Sequence, residues 1–320
     1  MIRTTTAKKS VLICGSAAYD SILLFPDRFK AHILPEKIHM LNVSFLVSEM
    51  RREFGGCATN IAYNLKLLGD HAYPMATVGH DFGPYRESLT RKGVPQDYLK
   101  VIDSEFTAQA FITTDLDDNQ ITAFHPGAMQ HAHVNRVADA AGIGLGVVAP
   151  DGRQAMIEHA GQFAAAGIPF IFDPGQGLPM FGGEELRRFI EQATWVAVND
   201  YEWQVLQHKT GWSERDIVSR VKALVVTHGA DGSLIHTQTE RFDIPSAKPQ
   251  AVIDPTGCGD AYRAGLIHGI LRGEDWATTG RIASLMGAIK IGSRGPQNHQ
   301  FTREQFERWY RESFRQERTS

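Results

Sequence analysis

Cysteine is scarce: Cys14, Cys57 and Cys258 are the whole complement, an odd number with no CxxC spacing. Neither a disulfide framework nor a paired-cysteine zinc site organises the chain, and a reducing compartment is expected. Long apolar runs are missing too. The stretch Val11–Cys14 is too short for a signal h-region or a membrane span and follows the polar Met1 to Lys9, so a cytoplasmic location away from the membrane is expected. No charge of one sign dominates: 33 basic against 36 acidic residues leave a net charge of −3. That balance gives no sequence-wide attraction to nucleic acid or an anionic membrane. No Gly-Lys dipeptide occurs, which excludes a Walker A phosphate loop. With repeats and low-complexity tracts also absent, the 320 residues, 42% hydrophobic and 22% charged, suit one large α/β domain with a minor appendage.

What is present alternates. Short apolar runs at Val11–Gly15, Tyr73–Val78, Gly144–Val148, Ile168–Phe172, Trp195–Val198 and Ala223–Thr227 predict strands, with Ser233–His236 at an edge. Between them, helical patterns at Asn60–Leu68, Arg86–Lys92, Gln154–Ala166, Glu184–Gln192, Tyr201–Lys209 and Glu214–Val221 are long enough for crossovers. The expectation is a doubly wound, mostly parallel sheet flanked by helices, with a polar surface helix after Gly295. Two segments break the rhythm. Ile22–Phe54 carries Phe25, Phe29 and Phe45 among isolated charges, and Phe111–Thr114 and Ile121–Phe124 flank a polar turn at residues 117–120. Together they predict a small β-sheet lid of residues 22–54 and 106–124, set against a large domain of residues 10–21, 55–105 and 125–320.

The chemistry concentrates in Asp254-Pro255-Thr256-Gly257-Cys258-Gly259-Asp260 and the helix it opens. A glycine turn at a helix start aims backbone N–H groups and the positive end of the helix dipole at one point, which suits a phosphate. Gly257 and Gly259 permit close approach, and Cys258 can contribute its N–H without its sulfur. Asp260 would repel an anion, so a different task is implied: accepting the proton of an alcohol that attacks phosphorus held in that cradle. Taken alone, the same residues also describe a tight turn with a helix cap.

The string Asp254-x-Thr256-Gly257-x-Gly259-Asp260 resembles the C-terminal signature of the ribokinase-like (PfkB) family of sugar and nucleoside kinases. Phe54-Gly55-Gly56-Cys57-Ala58-Thr59-Asn60-Ile61-Ala62 resembles the N-terminal one. The likeness runs from about Val11 to Gly295. Phe29, Leu34-Pro35, Ser44-Phe45-Leu46-Val47, residues 124–129 and residues 199–203 bring the chain nearest to the family's bacterial adenosine kinases and broad-specificity nucleoside kinases.

The resemblance implies an ATP- and Mg²⁺-dependent transfer to the 5′-hydroxyl of a ribonucleoside. Asp260 is then the base and Gly257, Cys258 and Gly259 the anion hole. Asp20 grips the ribose hydroxyls, with Asn60, Gly55 and Gly56 beside it. Asn199 and Glu202 belong to the motif that supports Mg²⁺, Glu202 through water. Thr227, Gly229 and Gly232 lie along the ATP phosphates, and Asp254 and Thr256 mark a monovalent-cation (K⁺) site, although Pro255 departs from the motif. From residue type alone, Phe124, Met129 and Phe45 could wall the base or form lid core, and Gln176 could read a purine edge. A sugar kinase and a noncatalytic nucleoside sensor are the competing readings, and the protein is either a monomer or a homodimer through the lid. His131-Ala132-His133 lacks further clustered ligands and reads as surface histidines.

Overall fold

The computed structural model describes residues 10–33, 42–117 and 119–314. Leu34-Pro35 and Asp118 of the predicted turn lie outside the described residues. A nine-stranded sheet forms the centre. Its parallel part is β11 (Ala223–Thr227), β10 (Trp195–Asn199), β9 (Phe170–Phe172), β8 (Ile143–Val148), β1 (Ser10–Cys14), β4 (Ala72–Gly79) and β5 (Tyr98–Ile102), in that spatial order. β12 (Ser233–His236) and β13 (Arg241–Ile244) continue it antiparallel beyond β11. Ser233–His236 is therefore not the edge expected from its brevity, because the Arg241–Ile244 strand pairs along its outer side.

Alternation along these strands builds two cores. Val11, Ile13, Leu145, Val147, Ala197 and Val225 face one side of the sheet and pack with Ile61 and Leu65 of α1 (Cys57–Leu67) and Leu266 of α7 (Cys258–Arg272). Leu12, Val148, Phe170, Phe172, Val196 and Val198 face the other side. There they meet Phe163 of α3 (Arg153–Ala165), Phe189 of α4 (Gly183–Gln192) and Leu206 of α5 (Asp200–Thr210). With both faces covered, the strands read as continuous apolar runs. Three further helices, α2 (Gly83–Lys92), α6 (Glu214–Val218) and α8 (Trp276–Ile291), complete the layers, α2 adding Tyr85 and Leu89 to the first core, and α9 (Arg303–Phe314) lies on the surface with no buried residue.

The order of strands reverses at β1, which has β4 on one side and β8 on the other. A crevice opens at such a switch point, outside the carboxyl ends of the strands. Here Gly15 follows β1, and a Cβ on it would lie 3.0 Å from the Cβ of Ala149 and 3.4 Å from that of Ala58.

The second sheet has four strands in the order β3 (Glu49–Gly55), β2 (Ala18–Leu24), β6 (Ala108–Thr114) and β7 (Gln120–His125). The β6–β7 hairpin is closed by Asp115, whose carboxylate accepts the N–H groups of Asp117 and Asn119 at 2.9 Å each. The sheet reaches further than the predicted lid: it takes in residues 18–21, Gly55 and His125, because β2 pairs with β3 from Ala18↔Gly55 onward. Phe25 and Phe29 stack on each other at a centroid distance of 5.8 Å, and Phe45 packs tilted against both at 4.8 and 5.0 Å. Phe45 thus belongs to the small core beside this sheet and does not stand free to wall a base.

Candidate active site

α7 begins at the glycine turn. Gly257 has φ +80°, and a Cβ there would come within 2.6 Å of Pro296, so glycine is required on both counts. Among the described residues no protein acceptor meets the N–H of Gly257 or Gly259. The expectation that Cys258 joins this cradle with its N–H is not met in this conformation: the turn closes on itself, and that N–H donates to Pro255 O at 3.0 Å. Burial pushes the Cys258 thiol up to about 11, so it stays protonated near neutral pH.

Asp260 sits in the first turn of α7. Asn60 of α1 donates Nδ2–H to its Oδ2 at 2.8 Å, and Gln297 donates to Asn60 Oδ1 at 2.8 Å and to Tyr85 Oη at 2.6 Å. The chain Tyr85–Gln297–Asn60–Asp260 fixes the direction of the carboxylate. Asn60 therefore spends one N–H and one lone pair on protein and keeps one of each. Burial raises the Asp260 carboxyl to about 7, against the Asn60 bond and with help from the charge of Asp173. A carboxylate so tuned takes up a proton near neutral pH, as a general base must.

The small sheet supplies the opposite wall. In register across it stand Glu53, Asp20, Ala110 and Phe124 on one face, followed by Arg51, Ile22, Ile112 and Thr122. This face bounds a cleft of about 340 Å³ whose other wall is residues 253–256. Asp20 is raised to about 6 by burial and then by the charges of Glu53 and Asp254. Gly55 makes room for it: a Cβ on Gly55 would lie 2.5 Å from Asp20 Oδ2. Gly56, with φ +95°, turns the chain from β3 into α1 against the backbone of residues 16–18. Phe124 is 47% exposed on the Asp20 face, Met129 is half-buried in a 3-10 turn (Gly127–Val134) and Gln176 is exposed just after β9.

Further along the strand ends, Asn199 and Thr227 are neighbours in register on β10 and β11. Asn199 caps α5: its Oδ1 accepts the Glu202 N–H at 2.7 Å, and the Glu202 carboxylate accepts the Asn199 N–H at 2.8 Å. Both residues are thus helix-start residues by geometry. Burial and then the charge of Asp173 hold the Glu202 carboxyl above its usual range. Gly229 is exposed in the turn after β11, while Gly232 is buried, where a Cβ would meet Ile244 O at 2.2 Å. Glu202, in the first turn of α5, and Asp173, just after β9, are hard oxygen donors of the kind Mg²⁺ accepts, so this corner fits that ion through water.

Three residues of the site carry no local signal. Arg263, one turn into α7 and 5% exposed, donates to Asp173 Oδ1 at 3.1 Å, while its Nε and Nη1 meet no acceptor among the described residues. Ninety positions separate this pair, and only coordinates reveal it. Lys290, wholly buried, donates to the carbonyl of Asp254.

A parallel α/β sheet with a tuned carboxylate and free N–H groups at one helix start, facing a second sheet across a cleft, defines a small-molecule phosphotransferase. The chain belongs to the pfkB family of carbohydrate kinases, whose family model matches residues 18–303. The nucleoside kinase of Burkholderia thailandensis in complex with inosine is 53% identical, with a TM-score of 0.88 over 95% of this chain and 98% of that one. Its complex with ADP-inosine gives 54% identity, a TM-score of 0.85 and coverage of 95% and 96%. The nucleoside kinase of Methanocaldococcus jannaschii is 32% identical over 270 residues, 82% of this chain and 87% of its own. That of Methanothermobacter thermautotrophicus is 32% identical over 297 residues, 91% and 92%. The ribokinase-like fold and the family expected from the two signatures both hold. No helix among the described residues is long and apolar enough to cross a membrane.

Proposed function

We infer that the protein is a nucleoside kinase that moves the γ-phosphoryl group of ATP onto the 5′-hydroxyl of a ribonucleoside, adenosine or inosine first, with guanosine and cytidine as further acceptors. The observation that carries this is Asp260, half-buried, raised to about 7 and aimed by Asn60 beside unpaired N–H groups of the Gly257 turn. Asp20 grips the 2′- and 3′-hydroxyls as a bidentate acceptor. Asp260 takes the 5′-proton as the oxygen attacks. The Gly257 and Gly259 N–H groups, together with the dipole of α7, meet the charge that develops on the equatorial phosphoryl oxygens. Bound Mg²⁺ supplies charge neutralisation at the phosphates, and Glu202 would hold it through water. Asn199, Thr227, Gly229 and Gly232 line the strand ends along which ATP lies. Gly55 and Gly56 join the small sheet to α1 and let it act as a lid, with Phe124 and Met129 toward the base and Gln176 within reach of its edge.

The opposite face of the small sheet leaves Met50, Phe111 and Ile121 exposed, which supports a homodimer formed through that sheet. A cytoplasmic location accords with the soluble substrates. The test is a phosphorylation panel of nucleosides and sugars with Mg·ATP and product identification. Nucleoside 5′-monophosphates with ribose inert are expected; ribose turnover with nucleosides inert makes the protein a sugar kinase, and calorimetric nucleoside binding without any ADP makes it a sensor.

A further inference from the structure

Family resemblance sets a monovalent cation beside the phosphate cradle, held by Asp254 and Thr256. The residues present do not fit one. The strand-like segment before the glycine turn is tied to the end of α8: the N–H groups of Ile253 and Asp254 donate to Ile291 O at 2.9 and 3.1 Å. The Asp254 carboxylate accepts the N–H groups of Thr256 and Gly295 at 2.9 Å each, which closes a ring of backbone around one point. Lys290, from the last turn of α8 and wholly buried, reaches that point. Its Nζ donates to Asp254 O at 2.6 Å and to Ser293 O at 3.1 Å. An ammonium group and K⁺ carry the same charge and seek the same carbonyl oxygens, and like charges repel, so one ring does not hold both.

We propose that the Lys290 ammonium is a built-in replacement for the monovalent cation, a positioning residue that fixes residues 254–257 and so preorganises the phosphate cradle without any dissolved alkali ion. Asp254 supplies the nearby negative charge, which it shares with Arg51, whose Nη2 lies 3.7 Å from its Oδ2. Burial acts to raise its carboxyl, but the Gly295 and Thr256 N–H groups and the Lys290 charge outweigh it and hold it below the usual range. Lys290 would then act on turnover through the direction of the Gly257 and Gly259 N–H groups, which matter most in the transition state, more than on nucleoside affinity.

This rests on the turn being the phosphate cradle of a kinase, and the experiment separates the two ideas. The wild-type protein is assayed at constant ionic strength with K⁺, Na⁺ or tetramethylammonium as the sole monovalent cation, and ADP affinity and melting temperature are measured in the same buffers. All three salts should give kcat, ADP affinity and melting temperature within about twofold or ~1 °C of one another, a window set well inside the effect of one lost charge-assisted contact. Lys290→Met should lower kcat by roughly 10-fold or more with a smaller change in nucleoside KM. In Lys290→Ala, K⁺ or NH₄⁺ should restore part of the lost turnover and tetramethylammonium none. Many-fold activation of the wild type by K⁺, wild-type kcat in Lys290→Met, or a folded Lys290→Ala that no cation revives overturns the proposal. If the variants fail to fold, the wild-type salt comparison alone decides it. No phosphoryl transfer in any salt counts against the kinase reading, whereas a K⁺-activated kinase counts only against the role of Lys290.

Discussion

Asp260→Asn separates the cost of a buried charge from its use. Asparagine keeps an acceptor for Asn60 Nδ2–H and nearly the same volume, but it carries no charge and accepts no proton. The carboxyl moves from its ordinary value of 3.8 up to about 7, chiefly through burial. Because the folded value lies above the unfolded one, the folded state binds the extra proton. Below about pH 4 both states are protonated and the wild type pays nothing; as pH rises through about 7 the ionised carboxylate costs the folded state its full penalty. A separation of roughly 3 pH units corresponds to ~4 kcal/mol. The carboxylate keeps some contact with water, so about 2 kcal/mol is expected after that allowance. In the absence of ligands the variant should therefore melt several degrees above the wild type at pH 8, and the gap should close toward pH 4. Its kcat with saturating Mg·ATP should fall by about 10²–10⁴. Parallel calorimetric melts across pH and steady-state assays read both effects. A variant that turns over like the wild type, or one no more stable than it at pH 8, would refute the idea of a desolvated base.

The pH profile of kcat/KM for the free enzyme should rise on its acid limb through about 7 as Asp260 loses its proton and steepen below about 6, where Asp20 also takes one up; a flat profile from pH 5 to 8 argues against both assignments. Gly55→Ala puts a methyl 2.5 Å from Asp20 Oδ2 and should raise nucleoside KM by roughly 10-fold through loss of a charge-assisted contact, with ATP KM unmoved in initial-rate measurements. Gly257→Ala meets both the positive φ and Pro296, and thermal melts should show a loss of about 1–3 kcal/mol together with reduced kcat. Arg263→Met leaves Asp173 buried and unpaired, a loss of about 3–5 kcal/mol in denaturant unfolding, much of which a second change, Asp173→Asn, should recover.

Seven of the nine strands of the central sheet were legible because burial on both faces makes them apolar runs, as in Ala223–Thr227 and Trp195–Asn199, whereas the edge strands β5 and β13 lie partly in water and gave no such signal. The small sheet was harder to read. The β6–β7 hairpin was legible from Phe111–Thr114 and Ile121–Phe124, but β3, with the sequence EMRREFG, lies half in water and reads as polar chain. The glycine turn and the residues around Asp260 are contiguous in sequence, and their chemistry could be read as a string. Arg263 and Lys290 could not: a basic residue on a helix is ordinarily solvated, and only partners 90 and 36 positions away, Asp173 and Asp254, make these two interior. Glu202 shows the converse, a motif residue whose unliganded geometry is an ordinary capping box.

Among the described residues the four-stranded sheet shares no strand pairing with the nine-stranded one. Asp20 and Phe124 are written into the first, Asp260 and the glycine turn into the neighbourhood of the second. On the proposed function, acceptor choice and phosphorus chemistry thus rest on two separately paired sheets of one polypeptide. A lineage can redecorate the smaller ribbon for a new alcohol while leaving the donor machinery untouched, and protein engineers can graft along the same seam.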